Sequence, residues 1–318
     1  MNSQAEILAA LAEYDNYLIC GHENPDPDSI GSMLAMYQYL TSIGKRAWMM
    51  SADPIPNYPW PNIDRILPVQ ELDFQAVVIV DCEPERTGRL LPLVEKAEVT
   101  INIDHHKGNP GSCTYNYIDT SQAATCMILY QLFQTGGVEF DYRFAQPLYA
   151  GIIGDTGGFR HANTTKEVFL AAAELTGHGA VPDQTAHVIY GSKPLELMRF
   201  LGYALAKLDT RHNRRLVWLA LSNQDFVNFE VDPRQCDQLI EYVRMVEGSE
   251  IAILFREISP GVVRIGFRSR GIDIHQLAVH FGGGGHLLAA GTQLEGKLPE
   301  IVSEVIDTAS RLLEGEAL

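Results

Sequence analysis

Long apolar runs and basic residues are both scarce in this sequence. No stretch approaches the length of a membrane-spanning helix, and the first residues show no basic segment ahead of an apolar one, so neither a membrane partner nor a secretory signal is expected. Lysine and arginine together number 24 against 40 aspartates and glutamates, and the net charge is −16. Such a charge repels a long polyanion, which argues against extended duplex nucleic acid as a partner. We therefore expect a soluble, cytoplasmic protein.

Cysteine is scarce too, and its distribution argues against two further classes of site. The five cysteines are scattered, and none forms a Cys-x-x-Cys pair of the kind that binds zinc or carries redox chemistry. They are expected to be reduced core residues. Internal repeats and low-complexity segments are also missing, while 46% of the 318 residues are hydrophobic. The chain is thus long and apolar enough for two domains with their own cores.

The first part of the chain alternates between two kinds of pattern. Short β-branched apolar runs, each ending in a polar residue, are typical of buried parallel strands and occur at 17–22, 75–81 and 99–104. Helical patterns occur at 5–14, 29–43, 121–135, 141–153 and 165–177. This alternation predicts an α/β domain over residues 1–192, with a doubly wound and mostly parallel sheet. Ligands bind such sheets at the carboxyl ends of the strands.

The pattern changes in the last third of the chain. An amphipathic run at 194–208 suggests a connecting helix within a linker at 193–211, and its apolar residues suggest a homodimer contact. From 212 to 318, apolar runs, a Ser-Pro-Gly turn and a helical pattern near 298–314 predict a smaller α+β domain with a hairpin. Residues 193–270 hold 12 lysines and arginines against 10 acidic residues, so this part of an acidic chain is suited to meet an anion.

A histidine at the end of the first predicted strand and two aspartates ahead of the next helix lie in the segment GHENPDPDSIG (21–31). The prolines of this segment favour an extended backbone, in which Asp26 and Asp28, as alternate residues, point the same way. Together with His22, they could then serve two neighbouring cations. The alternative is that Asp28 caps the following helix while Asp26 shapes a turn.

Two further predicted strands end in possible metal ligands. Asp81 follows the run QAVVIV, where a carboxylate is either a functional group at the mouth of the sheet or a turn former. Asp104, His105 and His106 follow the run VTIN. Ring nitrogens beside a carboxylate suit metal ligation, with solvated histidines as the alternative.

Two glycine-containing segments complete the set of candidates. In GIIGDTGGFR (151–160), Asp155 precedes a glycine turn and Arg160, whose guanidinium can pair with a phosphate. In FGGGGH (281–286), bare amides could cradle an anion near Arg268, although a flexible turn explains the run equally well. The carboxylates and imidazoles of the N-terminal segments fit a dinuclear, oxygen-rich site better than a tetrahedral zinc site.

The order of these motifs resembles the DHH family of phosphoesterases with their DHH-associated C-terminal domain, over nearly the whole chain. The motifs are His-x-Asn-Pro-Asp-x-Asp, a strand-end Asp, Asp-His-His, Gly-Asp-Thr-Gly-x-Phe and Gly-Gly-Gly-Gly-His. The resemblance implies a metal-binding N-terminal domain, a substrate-binding C-terminal domain and an active site in the cleft between them. One departure is Leu287, where many members have a lysine, so one cationic contact is missing.

The resemblance also implies roles for individual residues. Two divalent ions, manganese by preference, would be held by His22, Asp26, Asp28, Asp81, His105 and Asp155, with Asp81 bridging. His106 and Arg160 would stabilise the oxygens of the scissile phosphate. The substrate's other end would be bound by Arg268, Ser269, Gly282, Gly283, Gly284, Gly285 and His286.

Within the family, the chain length and the final glycine motif look most like the nanoRNases. These enzymes degrade short oligoribonucleotides to nucleoside monophosphates and often dephosphorylate 3′-phosphoadenosine 5′-phosphate (PAP). A manganese-dependent hydrolase with this oligoribonuclease activity is therefore expected, and its partner would be a short nucleotide. The alternatives are a phosphodiesterase for linear or cyclic dinucleotides, an inorganic pyrophosphatase with a similar first motif, and a nucleotide sensor without catalysis.

Overall fold

The structure is a computed structural model that describes residues 1–191 and 193–315, leaving out the side chains of residues 234 and 235. The chain divides into two compact units, Met1–Ser192 and Lys193–Leu318. The predicted fold class is confirmed: the first unit is built on a parallel sheet with helices, and the second on a smaller mixed sheet. None of the helices within the described ranges is long and apolar enough to cross a membrane.

The N-terminal unit is built on a sheet in which all neighbouring strands are parallel. Its strands are β1 (Tyr17–Cys20), β2 (Ala47–Ser51), β3 (Ile66–Pro68), β4 (Ala76–Val80), β5 (Val99–Asp104) and β6 (Tyr115–Ile118). Its α-helices are α1 (Gln4–Glu13), α2 (Pro27–Ser42), α3 (Leu91–Val94), α4 (Thr125–Thr135), α5 (Tyr142–Asp155), α6 (Lys166–Gly177) and α7 (Pro182–Ala186). The strand order is β3-β2-β1-β4-β5-β6. The order reverses between β1 and β4, so this fold opens its ligand crevice at their carboxyl ends.

Burial on both faces explains which strands the sequence reveals. Alternate residues of β1 and β4 belong to two apolar clusters, Ile19 and Val78 to one and Leu18 and Val77 to the other. A strand buried on both faces reads as a continuous apolar run. Strands β2 and β6 mix buried with partly exposed positions, and β3, at the edge, has no buried position, so their sequences give no such signal.

The C-terminal unit contains a mixed sheet in the order β11-β12-β10-β9-β8-β7. Its strands are β7 (Asp209–Arg211), β8 (Leu216–Leu221), β9 (Ile251–Ser259), β10 (Val262–Ser269), β11 (Gly284–His286) and β12 (Ala289–Glu295). Its α-helices are α8 (Leu195–Leu205), α9 (Asn223–Phe229), α10 (Leu239–Arg244), α11 (His275–His280) and α12 (Leu298–Leu313). The predicted hairpin is the antiparallel pair β9–β10. Helix α8 buries Phe200 and Ala204 beside Leu219, so the segment predicted as a linker is part of this unit's core.

Candidate metal centre and active site

The predicted metal ligands come together at the carboxyl ends of three neighbouring strands. They form two groups of close ligand atoms, each with all its atoms within 4.8 Å of one another: His22, Asp26 and Asp81 in one, and Asp28, His105 and Asp155 in the other. A third group of such atoms overlaps with this set and joins Asp81, His105 and His106. Strands β1, β4 and β5 supply a ligand just after their last residues, helix α2 supplies two at its start, and α5 supplies one at its end. The site therefore lies where this type of sheet binds ligands.

Asp81 lies between the two groups. Its Oδ2 is 3.5 Å from Nε2 of His22, and its Oδ1 is 3.6 Å from Nε2 of His105. Within the described part of the chain, Asp81 Oδ2 and His105 Nε2 are buried and have no hydrogen-bond partner. Buried polar atoms are rarely left unsatisfied, and cations bound at the two groups would satisfy them. The residues present thus fit divalent metal ions, with Asp81 placed to contact both groups.

The first group is organised around His22. Its Nδ1 donates to the carbonyl of Glu23 at 2.7 Å, which directs Nε2 toward Asp81 and toward Asp26, 3.8 Å away. Burial lowers the pKa of this imidazole, but the nearby carboxylates of Asp26 and Asp81 outweigh burial and raise the pKa to about 10. In the absence of a cation, a protonated His22 offsets one of the two carboxylate charges.

The second group is organised around His105. Its Nδ1 donates to the carbonyl of Gln122 at 3.3 Å, and its Nε2 lies 3.2 Å from Oδ2 of Asp155 and 4.0 Å from Oδ2 of Asp28. Burial lowers the pKa of His105, but the neighbouring carboxylates of Asp155, Asp28 and Asp81 outweigh burial and raise it to about 10. Burial and the charges of neighbouring carboxylates raise the pKa of Asp28. Because buried carboxylates lie close together in this group, a bound cation would stabilise it.

Asp28 is held by the N-terminus of α4. Its carboxylate accepts from the backbone N–H groups of Thr125, at 2.6 Å, and Cys126, at 2.9 Å. Residue 124, at the N-cap of α4, makes no side-chain cap, so Asp28 satisfies N–H groups that would otherwise lack partners. The hydroxyl of Thr125 donates to Asp81 Oδ1 at 2.9 Å, so this residue positions two predicted ligands.

The geometry predicted for residues 26–28 is wrong. Helix α2 begins at Pro27, with Asp26 as its N-cap, and the Asp26 carboxylate accepts from the N–H groups of Asp28 and Ser29. Proline is favoured at the first helical position because its φ is already helical and its missing N–H is not needed there. Asp28 is therefore buried in the first turn, and the alternative in which Asp28 caps the helix is also wrong.

His106 is oriented by a different carboxylate. Its Nδ1 donates to Oδ1 of Asp104 at 2.7 Å, a bond that raises the pKa of His106 against the effect of burial. Burial raises the pKa of Asp104, but hydrogen bonds from His106 and Asn109 outweigh burial and lower it. The ring is thus kept protonated at Nδ1, with Nε2 available to another group.

Comparison with known proteins decides the family. Residues 16–152 match the DHH family, N-terminal domain, and residues 219–313 match the DHHA1 domain. A Thermus thermophilus protein named bifunctional oligoribonuclease and PAP phosphatase NrnA is 34% identical over 305 residues, which cover 93% of this chain and 89% of the relative. The chain belongs to the DHH family of phosphoesterases. The family predicted from the motifs is thereby confirmed.

Solved structures share the fold of this DHH protein. An exopolyphosphatase-related protein from Bacteroides fragilis superposes with a TM-score of 0.89 at 23% identity, covering 98% of this chain and 96% of the other. RecJ from Thermus thermophilus in complex with Mn²⁺ gives a TM-score of 0.55 at 14% identity, covering 97% of this chain and 55% of RecJ. These likenesses show the fold.

Arg160, predicted to act on the scissile phosphate, lies in the loop after α5. Its Nε donates to the carbonyl of Gly157 at 2.6 Å, and its guanidinium lies over the ring of Tyr190, 5.8 Å from the centroid. The side chain is exposed and lies outside both ligand groups of the DHH domain. Its role in the reaction stays a prediction.

The predicted substrate residues of the DHHA1 domain are mostly held by hydrogen bonds within that domain. Gly282 and Gly283 donate their N–H groups to carbonyls at the end of α11. The following residues, from Gly284 to His286, form the edge strand β11, so the glycine run is not simply a flexible turn. Ser269 is buried and its hydroxyl donates to the carbonyl of residue 272, whereas Arg268 lines a cavity of about 240 Å³ with two more arginines. Binding of substrate by this set stays a prediction.

Gly151 allows α5 to approach the predicted ligand Asp28 closely. A Cβ at this position would lie 2.5 Å from Asp28 Oδ1 and 2.3 Å from Cys126 Sγ. We expect Gly151→Ala to lower the free energy of unfolding by about 1–3 kcal/mol, because overpacking displaces these atoms, and to weaken Mn²⁺ binding. Urea unfolding with chelator and calorimetric titration with Mn²⁺ measure the two effects.

Gly202 provides the matched control for Gly151. It lies inside α8, and a Cβ there would meet no atom within 4 Å. Gly202→Ala should raise stability by up to about 1 kcal/mol, since alanine is the better helix former, and should leave Mn²⁺ affinity unchanged. Equal stability of the Gly151→Ala variant and the unmodified protein would contradict the described packing.

Proposed function

We propose that this DHH-family hydrolase cleaves short oligoribonucleotides and dinucleotides to nucleoside monophosphates, and that it also dephosphorylates PAP. The observation that carries the proposal is the pair of ligand groups on either side of Asp81. It occurs in a chain 34% identical to an oligoribonuclease and PAP phosphatase over almost the whole length of both. The net charge of −16 supports a short substrate, because a long polyanion would be repelled.

We propose two divalent ions as cofactors, one for each ligand group. Carboxylate oxygens and imidazole nitrogens suit manganese, and RecJ, which shares the fold, has been solved with Mn²⁺. When bound, such ions polarise the phosphoryl oxygens and supply an attacking water that is more acidic than bulk water.

The chain's own residues then bind and orient the phosphate ester. Asp104 holds His106 with Nδ1 protonated, and Nε2 can donate to a phosphoryl oxygen when the ring is charged. Arg160 uses Nε for Gly157, and its two terminal nitrogens carry the other donors of the guanidinium. A donor aimed at the charge that develops in the transition state contributes about 3 kcal/mol.

Substrate recognition is proposed for the DHHA1 domain. Arg268 shares its cavity with Arg256 and Arg264; Asp237, which also lines the cavity, pairs with Arg256, and Nε of Arg268 lies 3.6 Å from Oε1 of Glu241. An excess of guanidinium groups suits a phosphate. The exposed Leu287 lies at the position where the resemblance to the family places a lysine. We therefore expect phosphate binding by this domain to depend more strongly on Arg268.

A side-by-side assay tests the proposed function. Purified full-length protein is incubated with a diribonucleotide, PAP, pyrophosphate or a long single-stranded RNA, with Mn²⁺ or with chelator. Hydrolysis of the first two should require Mn²⁺ and should far exceed hydrolysis of the long RNA. Faster turnover of pyrophosphate would instead identify a pyrophosphatase, and no turnover of any substrate would refute the proposal.

A further inference from the structure

Two buried asparagines connect the turn that carries Asp81 with the pair Asp104 and His106. Asn102 lies within β5 and is 0% exposed, while Asn109 lies in the loop after β5 and is 8% exposed. Burying an amide is costly unless its donors and acceptors are bonded. The hydrogen-bond partners of these two amides therefore show which groups they hold in place.

The turn at Asp81 has an unfavourable backbone conformation, which hydrogen bonds from neighbouring side chains can stabilise. Its backbone has φ 64°, in the left-handed region that residues other than glycine rarely adopt. The Nδ2 group of Asn102 donates to the carbonyl of Ile79 at 3.1 Å and to the carbonyl of Cys82 at 2.8 Å. These carbonyls lie on either side of Asp81 in the chain, so one side-chain amide holds both ends of the turn.

The second amide extends this connection to the neighbouring ligand loop. Nδ2 of Asn109 donates to Oδ1 of Asn102 at 2.7 Å and to Oδ2 of Asp104 at 2.6 Å. Oδ1 of Asp104 in turn accepts from Nδ1 of His106 at 2.7 Å. Carbonyl and carboxylate oxygens only accept, so the orientation of both amides is determined by their partners. Both hydrogens of each Nδ2 group are used.

We propose that Asn102 and Asn109 are positioning residues that hold Asp81 and His106 in one fixed relation. This role rests on the proposed function, because it takes Asp81 as the ligand shared by two ions and His106 as a phosphate contact. Without the Asn102 amide, two buried carbonyls each lose a donor and the left-handed turn loses this support. Both ligand groups then lose the fixed position of their common carboxylate.

Manganese titration of full-length variants tests the proposal independently of any substrate. Asn102→Leu removes both donors at similar size, and Asn102→Asp keeps the shape while replacing the amide with an acceptor. Both should bind Mn²⁺ about 10–100-fold more weakly, which is the usual effect of removing a partner of a metal ligand. A purely space-filling role for Asn102 predicts unchanged affinity in both variants and would overturn the proposal.

Asn116 provides a matched control. It lies directly opposite Asn102 in the β5–β6 ladder, is also buried, at 8% exposure, and its side chain bonds to the backbone of Cys113. Asn116→Leu should lose stability but keep its Mn²⁺ affinity. Equal weakening in Asn102→Leu and Asn116→Leu would show a general loss of packing and would also overturn the proposal.

A third variant covers the case in which changes within β5 prevent folding. Asn109→Ala leaves the strand intact and breaks the link to Asn102 and Asp104. It should weaken Mn²⁺ binding about tenfold and lower kcat more than it raises KM. Unchanged affinity and kcat would refute the connection. If the unmodified protein binds Mn²⁺ yet hydrolyses no nucleotide, the proposed function fails while the positioning role is still decided by these titrations.

Discussion

Replacement of Asp81 by asparagine should reduce hydrolysis of a diribonucleotide by at least about 10³-fold, which corresponds to about 4 kcal/mol of lost transition-state stabilisation. Asp81 is 1% exposed and its two oxygens lie 3.5 Å and 3.6 Å from His22 and His105. An amide has the same size but no charge, so both ligand groups lose their shared anion at once. Initial rates with saturating Mn²⁺ measure the effect.

Asp225 is a suitable control for the loss of a buried aspartate. It is 6% exposed in the C-terminal unit, where it accepts from Lys207 at 2.7 Å. Asp225→Asn should lower stability, since an ion pair is lost, while the folded protein keeps its Mn²⁺ stoichiometry and activity. A fully active, metal-replete Asp81→Asn variant would remove Asp81 from the proposed ligand set.

Mn²⁺ affinity should fall steeply with decreasing pH. The neighbouring carboxylates overcome the effect of burial and raise the pKa of both His22 and His105 to about 10 in the metal-free protein. An imidazole must be neutral to bind a metal, so each ion displaces about one proton at neutral pH. Between about pH 8 and about pH 6, affinity should therefore fall ~100-fold for each ion. Calorimetry in buffers of different ionisation enthalpy counts the protons released.

The stability of the metal-free protein should show the opposite pH dependence. A histidine whose pKa is raised by folding stabilises the protein fully below its unfolded pKa, about 6.5, and this contribution is lost as pH rises through about 10. With chelator, the free energy of unfolding should thus fall between about pH 7 and about pH 10, whereas with Mn²⁺ it should not. Parallel curves in the two conditions would contradict the proposed exchange of protons for metal ions.

The sequence predicts much of this site because its main elements carry strong local signals. Strands buried on both faces are continuous apolar runs, and the polar residues at their ends, such as Asp81 and His105, converge at one edge of a parallel sheet. The conformation of residues 26–28 was predicted less well, because a proline can either extend a loop or open a helix, and here Pro27 opens α2.

Other residues could not be predicted because their roles depend on long-range contacts. Thr125 bonds to Asp28 and Asp81, which precede it by 97 and 44 residues, and the sequence suggests a helix start at Ser121, four residues before the observed one. Asn102 reads as one polar residue within an apolar strand. Its partners, the carbonyls on either side of Asp81, become neighbours only when β4 and β5 pair.

The double role of Asp28 affects how this protein can change in evolution. The same carboxylate accepts the first N–H groups of α4 and belongs to one of the two ligand groups. A lineage that lost catalysis would gain nothing by losing this aspartate, because α4 would then begin with unsatisfied, buried donors. Selection for folding alone should therefore preserve residue 28, whereas His105 and Asp155 would be free to drift. An aspartate at this position is thus poor evidence of activity, and an intact His105–Asp155 pair is better evidence.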